Sequence, residues 1–371
     1  MSIAVLYRPE LKEYDFGPGH PFRGNRYEIF PPFFKARLPQ EHPFEFLKAD
    51  WADDEDLLLI STKEFIAFTR HYYELENTGR GHPGGLETYH SADNRPIGRP
   101  GKLEEAARLI VGQAKKACDL VHSGRFEKVI SIGGGLHHAK PGWGEGFCIY
   151  NDVAFAGKYL VEKVGLERVL ILDTDAHAGN GTAEYFYKDP RVLFIDIHQD
   201  PMTLYPGTGF IHQIGEGQGK GYTINLPLPP HSGDDCYRFA FEEIVLPATR
   251  AFQPQIIIRN GGSDPHFADT LTHLGLSLKG FQMIGHYVRQ MAQFCGGKTI
   301  DMIGSGYNPE VLPYAWSALI SGLADFKLPL EERIPIPENI TKDSQLDETR
   351  EMVAKLKTII REYWPGLEKY K

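Results

Sequence analysis

Short apolar runs rich in β-branched residues recur along this chain of 371 residues. Continuous apolar runs of about four to eight residues are typical of strands buried on both faces of a parallel sheet. Five runs are predicted as strands: 128–132, 168–173, 191–196, 255–260 and 299–304. Helical patterns lie between them, and this alternation predicts an α/β fold with a central, mostly parallel sheet and helices on both faces.

Helical periodicity is clearest where apolar residues recur every three or four positions, as they do in 103–121 and 239–252. Ser61 and Glu64 have the spacing of a capping box, which predicts a helix running from there toward Glu74. A last amphipathic helix is predicted over 347–364, packed on the rest of the protein.

Segments rich in proline and glycine interrupt the pattern at 77–101, 140–146 and 206–221. None of them has the polar composition of an interdomain linker, and long loops of this kind commonly surround a functional site. We therefore predict a single domain over residues 1–371.

Composition narrows the classes of partner. The net charge is −9, from 40 Lys and Arg against 49 Asp and Glu. Binding to a phosphate backbone needs cationic surface, so no nucleic acid is expected, and a cationic substrate fits better. The four cysteines form no CxxC pair, which argues against a disulfide framework and indicates the cytoplasm. No apolar run reaches the roughly 18 residues of a membrane span, so no membrane partner is expected.

Polar residues that suit a metal follow one of the predicted strands. Asp173, Asp175 and His177 alternate there, and a period of two places all three on one side of an extended chain. Carboxylate oxygen and imidazole nitrogen suit a borderline divalent cation such as zinc. With 15 histidines and four cysteines in the chain, nitrogen and oxygen ligands are expected for any metal.

Further polar clusters follow other predicted strands. Asp264 lies four residues beyond one of them, His137 and His138 stand together after three glycines, and Tyr307 follows the last strand. In open α/β sheets, ligands bind beyond the carboxyl ends of the strands. This shared location predicts a single metal-centred hydrolytic site.

The order of motifs HHA…GFCIYND, DTDAHAGNGT, NGGSDPH and GSGYN resembles the histone deacetylase family, with its acetoin-utilisation and acetylpolyamine amidohydrolase relatives, over about residues 2–323. The resemblance implies an arginase/deacetylase-like α/β fold and hydrolysis of an acyl-lysine amide. It also implies one zinc ion per chain, held by Asp175, His177 and Asp264.

The same resemblance assigns roles to residues around the metal. His138 matches the general base, His137 assists electrostatically, and Tyr307 donates to the oxyanion. Asp173 is expected behind His137, and Asn180, as in members of the class II type, behind His138. A potassium site near the backbone of Asp173, Asp175, His177 and Ile197 is also implied.

Substrate-binding residues follow from the resemblance too. Phe147 and Tyr205 match the two aromatic residues that flank the acyl-lysine methylenes, and Asp93 matches an aspartate at the rim of the tunnel. Gly146, next to Phe147, is also expected among the substrate-binding residues. Arg26 matches a channel arginine or forms a surface salt bridge, and both readings stay open.

The implied partner is an acetyl-lysine protein or peptide, with a small acylated polyamine as the alternative. Loop 77–101 could restrict a tunnel mouth at a dimer interface, so a homo-oligomer is left open. An inactive acyl-lysine-binding regulator would need loss of Tyr307 or of a metal ligand, and neither is lost. A dinuclear manganese hydrolase would need further Asp and His residues to hold a second metal ion. Ala178 cannot serve as such a residue, which argues against this class of enzyme.

Overall fold

The computed structural model of the protein describes residues 2–39, 41–78, 84–342 and 344–367. Its strands are β1 Ile3–Leu6, β2 Phe44–Leu47, β3 Lys128–Ile132, β4 Val169–Asp173, β5 Val192–Gln199, β6 Thr223–Leu228, β7 Ile256–Gly261 and β8 Thr299–Ile303. Its helices are α1 Arg26–Lys35, α2 Asp54–Leu57, α3 Lys63–Asn77, α4 Leu103–His122, α5 Asp152–Lys158, α6 Asn180–Phe186, α7 Asp234–Ala240, α8 Leu246–Phe252, α9 Leu278–Ala292, α10 Leu312–Ala324, α11 Glu338–Thr341 and α12 Leu346–Ile360.

The chain divides into two compact units. The first comprises Met1–Gly165 and Ile300–Gly304, and the second comprises Leu166–Thr299 and Ser305–Lys371. Both units combine parallel strands with helices, so the predicted α/β class is confirmed. The single domain over residues 1–371 stays a prediction.

In the first unit the strand order is β2-β1-β3-β8. Strand β1 pairs in parallel with β2 and with β3, and Ile3 is in register with Phe44 and Lys128. Four of the five residues of β3 are buried, which is why this strand reads as a continuous apolar run. The glycine-rich loop that carries His137 and His138 leaves the carboxyl end of β3.

In the second unit the order is β7-β4-β5-β6, and every neighbouring pair is parallel. All five residues of β4 are buried. The register aligns Asp173 with Asp196 on one side and with Asn260 on the other. Three polar residues therefore lie side by side where β4 and β7 end, with β5 continuing a further three residues, and this is the edge at which a parallel sheet binds ligands.

The five predicted strands are confirmed with end shifts of three residues or fewer, but β1, β2 and β6 were missed. Strand β1 has only four residues, and β2 alternates instead of forming a continuous apolar run. Strand β6 contains Pro227, which weakens a strand prediction and is tolerated at a sheet edge.

The helix predictions stand with small changes. Thr62, and not Ser61, caps α3, because Thr62 Oγ1 accepts the Phe65 N–H at 3.2 Å. The predicted helix 239–252 is part of a longer one, in which a π-helical turn, Phe241–Val245, joins α7 to α8. The predicted C-terminal helix is α12, which packs on α7 and β6. Among the described residues, no helix combines the length and apolarity needed to cross a membrane.

Candidate active site

The metal-ligand segment after β4 is a bend and not an extended chain. The strand ends at Asp173, so a period of two is the wrong account of how Asp175 and His177 come together. Successive hydrogen bonds hold the bend. The Asp175 N–H donates to Asp173 Oδ1 at 3.1 Å, and the His177 N–H donates to Asp175 Oδ1 at 2.8 Å.

A carboxylate from the loop after β7 completes the group. His177 Nδ1 lies 3.0 Å from Asp175 Oδ1 and 3.2 Å from Asp264 Oδ2, and all three side chains are buried. A tetrahedral ion with bonds of about 2.1 Å separates its ligand atoms by about 3.4 Å. The spacing and the oxygen and nitrogen donors therefore fit a divalent metal ion, as the sequence predicts for these three residues.

The electrostatics of the group also favour a positive charge between the two carboxylates. Burial raises the pKa of Asp264, and the neighbouring charge of Asp175 raises it further. Burial lowers the pKa of His177, but its hydrogen bonds to Asp175 and Asp264 outweigh that effect and raise the pKa to about 10. Two buried carboxylates thus stabilise a cation between them, which is the property of a metal site.

Asp173 has another task within the second unit. Both of its carboxylate oxygens accept from Asn260 Nδ2 at 3.0 Å. Asn260 was not anticipated, although it is the penultimate residue of β7 and lies directly opposite Asp173, and knowledge of the strand order would have identified it. Asn180 is the first residue of α6. The expected places of Asp173 behind His137 and of Asn180 behind His138 stay predictions.

Tyr307 lies beside the metal-ligand group. Its half-buried ring is edge-on to the His177 ring, with 6.3 Å between centroids and an angle of 88°. The preceding Gly306 has φ 121, and a Cβ there would lie 1.8 Å from Ser263 Oγ, so only glycine fits at this turn. The second unit thus brings Asp175, His177, Asp264 and Tyr307 together, as the motifs predict.

The histidine pair is in the first unit. His137 and His138 are 2% and 4% exposed, and their Nε2 atoms are 3.1 Å apart. A hydrogen bond between two imidazole nitrogens needs a proton on one of them and a lone pair on the other. The pair can therefore hold one proton between its two Nε2 atoms.

Two side chains at the start of α5 hold the backbone of that pair. The Asp152 carboxylate accepts the N–H groups of residues 135–136 at 2.7 to 3.1 Å. Asn151 Nδ2 donates to the carbonyls of His137 at 3.1 Å and Ala139 at 3.0 Å. Sequence reasoning missed both residues, although they lie in the motif GFCIYND. We call this arrangement the histidine clamp.

Three of the predicted substrate-binding residues are also in the first unit. The Gly146 N–H donates to Asp93 Oδ2 at 3.1 Å. A Cβ on Gly146 would lie 2.2 Å from His138 Cδ2, so its backbone packs directly on that ring. The Phe147 carbonyl accepts from the Tyr14 hydroxyl at 2.7 Å. Asp93, Gly146 and His138 are thus neighbours, whereas Tyr205 belongs to the second unit and is 42% exposed.

His20 joins two of these residues and was not anticipated. Its Nε2 donates to the Asp93 carbonyl at 2.9 Å, and its ring centroid is 4.7 Å from that of Phe147. Burial lowers the pKa of His20, which keeps the ring neutral and able to stack among aromatics. No spacing in the sequence indicates this contact, because 73 residues separate His20 from Asp93.

Two further residues, Arg26 and His198, are buried and bind backbone carbonyls. Arg26 is 5% exposed and its Nη1 donates to the Gly304 carbonyl at 2.8 Å, so the surface salt bridge is the wrong reading. His198 Nδ1 lies 2.9 Å from Asp196 Oδ1, and its Nε2 donates to the Gly209 carbonyl at 2.9 Å. His198 is fully buried in this network, which gives it a structural role.

Comparison with known proteins agrees with these features. Residues 20–323 match the family described as "Histone deacetylase domain". The chain belongs to the histone deacetylase family, a family of deacetylases that act on amide bonds. The resemblance carried by the four motifs is therefore confirmed.

Individual relatives cover nearly the whole chain. A probable deacetylase of Archaeoglobus fulgidus is 35% identical over 379 residues, which cover 98% of this chain and 99% of the relative. The acetoin utilization protein AcuC of Staphylococcus aureus is 35% identical over 328 residues, or 87% and 82% of the two chains. The crystal structure of the HDA15 HD domain superposes with a TM-score of 0.82 at 25% identity, over 99% of this chain and 98% of that one. The predicted deacetylase-like fold is thus confirmed.

Proposed function

We propose that this protein is a zinc-dependent deacetylase that hydrolyses the amide of acetyl-lysine or of a related acylated amine. One observation carries the proposal: the buried group of Asp175, His177 and Asp264 has the Tyr307 ring edge-on beside it. Metal ligands with a phenol donor alongside suit the hydrolysis of an amide, because this reaction develops negative charge on the carbonyl oxygen.

The metal would be held by Asp175 Oδ1, His177 Nδ1 and Asp264 Oδ2, the atoms that approach one another in the bend after β4 and the loop after β7. When bound there, zinc polarises a carbonyl and lowers the pKa of a coordinated water. Asp264 is oriented in advance, since the Ser305 hydroxyl donates to its Oδ1 at 2.7 Å and its Oδ2 lies 3.2 Å from His177 Nδ1.

We assign proton transfer to the histidine pair. By its place in the motif, His138 takes a proton from the attacking water and returns one to the leaving amine. His137 supports it electrostatically. The 3.1 Å between their Nε2 atoms suits this division of labour, because a proton taken up at His138 Nε2 can then be shared with the lone pair of His137 Nε2. The histidine clamp keeps the backbone of both residues in place during the exchange.

We assign stabilisation of the oxyanion to Tyr307. Its hydroxyl would donate a hydrogen bond to the carbonyl oxygen as that oxygen gains negative charge. A preoriented donor of this kind typically contributes about a hundredfold or more to kcat. The half-buried ring is already fixed against His177, so little reorganisation is needed when substrate arrives.

The net charge of −9 supports a cationic acyl-amine substrate, such as a lysine-rich peptide. It favours acetylated polyamines equally, so an acetylpolyamine amidohydrolase is the second candidate. Loop 77–101 is the segment that could narrow the tunnel mouth so that small acylated polyamines enter in preference to peptides. It lies in part outside the described residues, since 79–83 are not among them. The zinc ion itself, the potassium site, the cytoplasmic location and the oligomeric state stay predictions.

The test is turnover by the purified protein with its metal content measured. Acetyl-lysine peptides, longer acyl-lysine peptides and acetylputrescine should be compared, and we expect release of acetate with about one zinc per chain. Asp264→Asn should lose both metal and turnover. Asp347→Asn, at a side chain that is 93% exposed, is the matched control and should keep both. Zinc-loaded protein that hydrolyses none of these substrates would overturn the proposal, and a preference for acetylputrescine would favour the polyamine alternative.

A further inference from the structure

The loop that carries Tyr307 follows the glycine-rich sequence 304–306. Such a sequence does not hold a side chain in one place by itself, because glycine admits many backbone conformations. Tyr307 is nevertheless edge-on to His177. Its orientation must therefore be imposed by contacts with another segment, and both backbone polar groups of Tyr307 are bound by the side chains of Asp269 and Thr270.

Three hydrogen bonds join the two segments. The Tyr307 N–H donates to Asp269 Oδ2 at 2.8 Å, and Thr270 Oγ1 donates to the Tyr307 carbonyl at 3.1 Å. Asn308 Nδ2 donates in the other direction, to the Ala268 carbonyl at 2.7 Å. We call these five residues the tyrosine clamp. It holds the backbone on both sides of the Tyr307 Cα atom, which fixes the direction of the Cα–Cβ bond from which the ring projects.

The clamp is continuous with the metal-ligand group. The segment that supplies it begins only a few residues after Asp264, whose carboxylate accepts from Ser305 Oγ at 2.7 Å. The Ser263 N–H also donates to the Ser305 carbonyl at 3.0 Å. The loop 305–308 is therefore attached to residues 263–270 at both of its ends.

We infer that Asp269 is a positioning residue, whose carboxylate sets the place of the Tyr307 hydroxyl relative to Asp264 and the other metal ligands. The inference rests on the proposed role of Tyr307. Asp269 suits this task because its Oδ1 accepts the Leu271 N–H at 2.9 Å while Oδ2 accepts from Tyr307. Only a carboxylate offers two acceptor oxygens in this geometry. An asparagine would turn an NH₂ group toward one of the two N–H donors.

The first test is Asp269→Asn in steady-state kinetics. We expect kcat with an acetyl-lysine peptide to fall about tenfold while KM changes less than about twofold. A displaced Tyr307 hydroxyl stabilises the transition state less, but it leaves substrate binding unchanged. In a Tyr307→Phe background, Asp269→Asn should cost less than about twofold, because the clamp then has no hydroxyl to position. An undiminished loss in that background would overturn the inference, since Asp269 would then act through something else.

Thr270 offers a milder variant with a matched control. Thr270→Val removes the hydroxyl that binds the Tyr307 carbonyl and should lower kcat about threefold, whereas Thr270→Ser keeps the donor and should stay close to wild type. Thr270 is exposed, so neither variant should impair folding. Equal kcat values for the two variants would contradict the clamp.

Hydrogen exchange tests the clamp without reference to activity. The amide of Tyr307 is protected by Asp269, so Asp269→Asn should speed its exchange about tenfold, while the loop 135–139 exchanges as in wild type. Unchanged exchange at Tyr307 would overturn the inference. If the wild-type protein hydrolyses no acyl amine, the proposed function fails, and the exchange experiment still decides whether Asp269 holds Tyr307.

Discussion

The loop of the histidine pair and the loop of Tyr307 each hold a candidate functional side chain in a fixed position, but one loop is buried and the other lies near the surface. Each follows a strand and contains several glycines, and each is held by side chains of another segment. The histidine clamp uses Asn151 and Asp152, which are 1% and 0% exposed. The tyrosine clamp uses Asp269, which is half-buried, and Thr270, which is exposed.

This difference follows from the chemistry of the groups they hold. Two adjacent imidazoles keep their mutual hydrogen bond only if bulk water does not compete for it, so their loop is part of the core. A phenol donor needs one orientation only, and hydrogen bonds near the surface suffice for that. The comparison teaches that the loop of the histidine pair, which we propose transfers protons, is tied to the stability of the fold, whereas Tyr307, the proposed oxyanion donor, can be perturbed on its own.

The largest effect is expected at the histidine pair. His138→Gln should lower kcat by about a thousandfold or more, because a positioned general base contributes about 10² to 10⁴. His137→Gln should cost clearly less, since that ring only assists. Steady-state kinetics with an acetyl-lysine peptide measure both variants. If His138→Gln keeps a tenth of the wild-type kcat, His138 is not the base.

Tyr307→Phe comes next. Loss of one oxyanion donor should lower kcat about a hundredfold with little change in KM. Urea unfolding should show a change below about 1 kcal/mol, because the ring is half-buried and only its hydroxyl is lost. Tyr363→Phe, at another half-buried tyrosine of the second unit, is the control and should match wild type in kcat. A large loss of stability in Tyr307→Phe would contradict the comparison of the two loops.

Asp152 gives the histidine clamp a dependence on pH. Burial raises the pKa of Asp152 from 3.8 to about 6. The folded protein therefore holds this proton more tightly than the unfolded chain. The resulting stability is complete below pH 4 and is lost as the pH rises through 6.

Asp152→Asn imitates the protonated carboxyl and should remove this dependence. Between pH 4 and pH 7, wild type should lose about 2 kcal/mol of unfolding free energy relative to Asp152→Asn. Urea unfolding at the two pH values measures the difference. Parallel pH profiles would show that Asp152 does not titrate in this range.

The smallest expected effect compares the clamps directly. Asn151→Ser keeps an acceptor for the Ala154 N–H but loses both donors to the histidine loop, so it should destabilise the protein by about 1 to 2 kcal/mol. Asp269→Asn should cost less than about 1 kcal/mol, because water can replace the lost hydrogen bond at a half-buried site. Chemical unfolding of both variants gives the comparison, and the reverse order would contradict it.

Much of the site could be predicted because its residues cluster in short motifs. Asp175 and His177 are two positions apart, His137 and His138 are adjacent, and Tyr307 follows a strand. The bend after Asp173 could not be predicted, because an alternating pattern describes an extended chain and a turn equally well. The strands at the edges of the strand orders, β2 and β6, were missed since they lack the continuous apolar runs that full burial requires.

By itself, the sequence determined the α/β class and the family and predicted the residues that we propose carry the chemistry, because burial and ligand chemistry leave local patterns of residue type. Only the tertiary structure decided which distant groups support them. Asn260 reaches Asp173 across 87 residues and Asp269 reaches Tyr307 across 38. Hydrogen bonds of this kind depend on strand register and loop paths, and neither has a local signature in the chain.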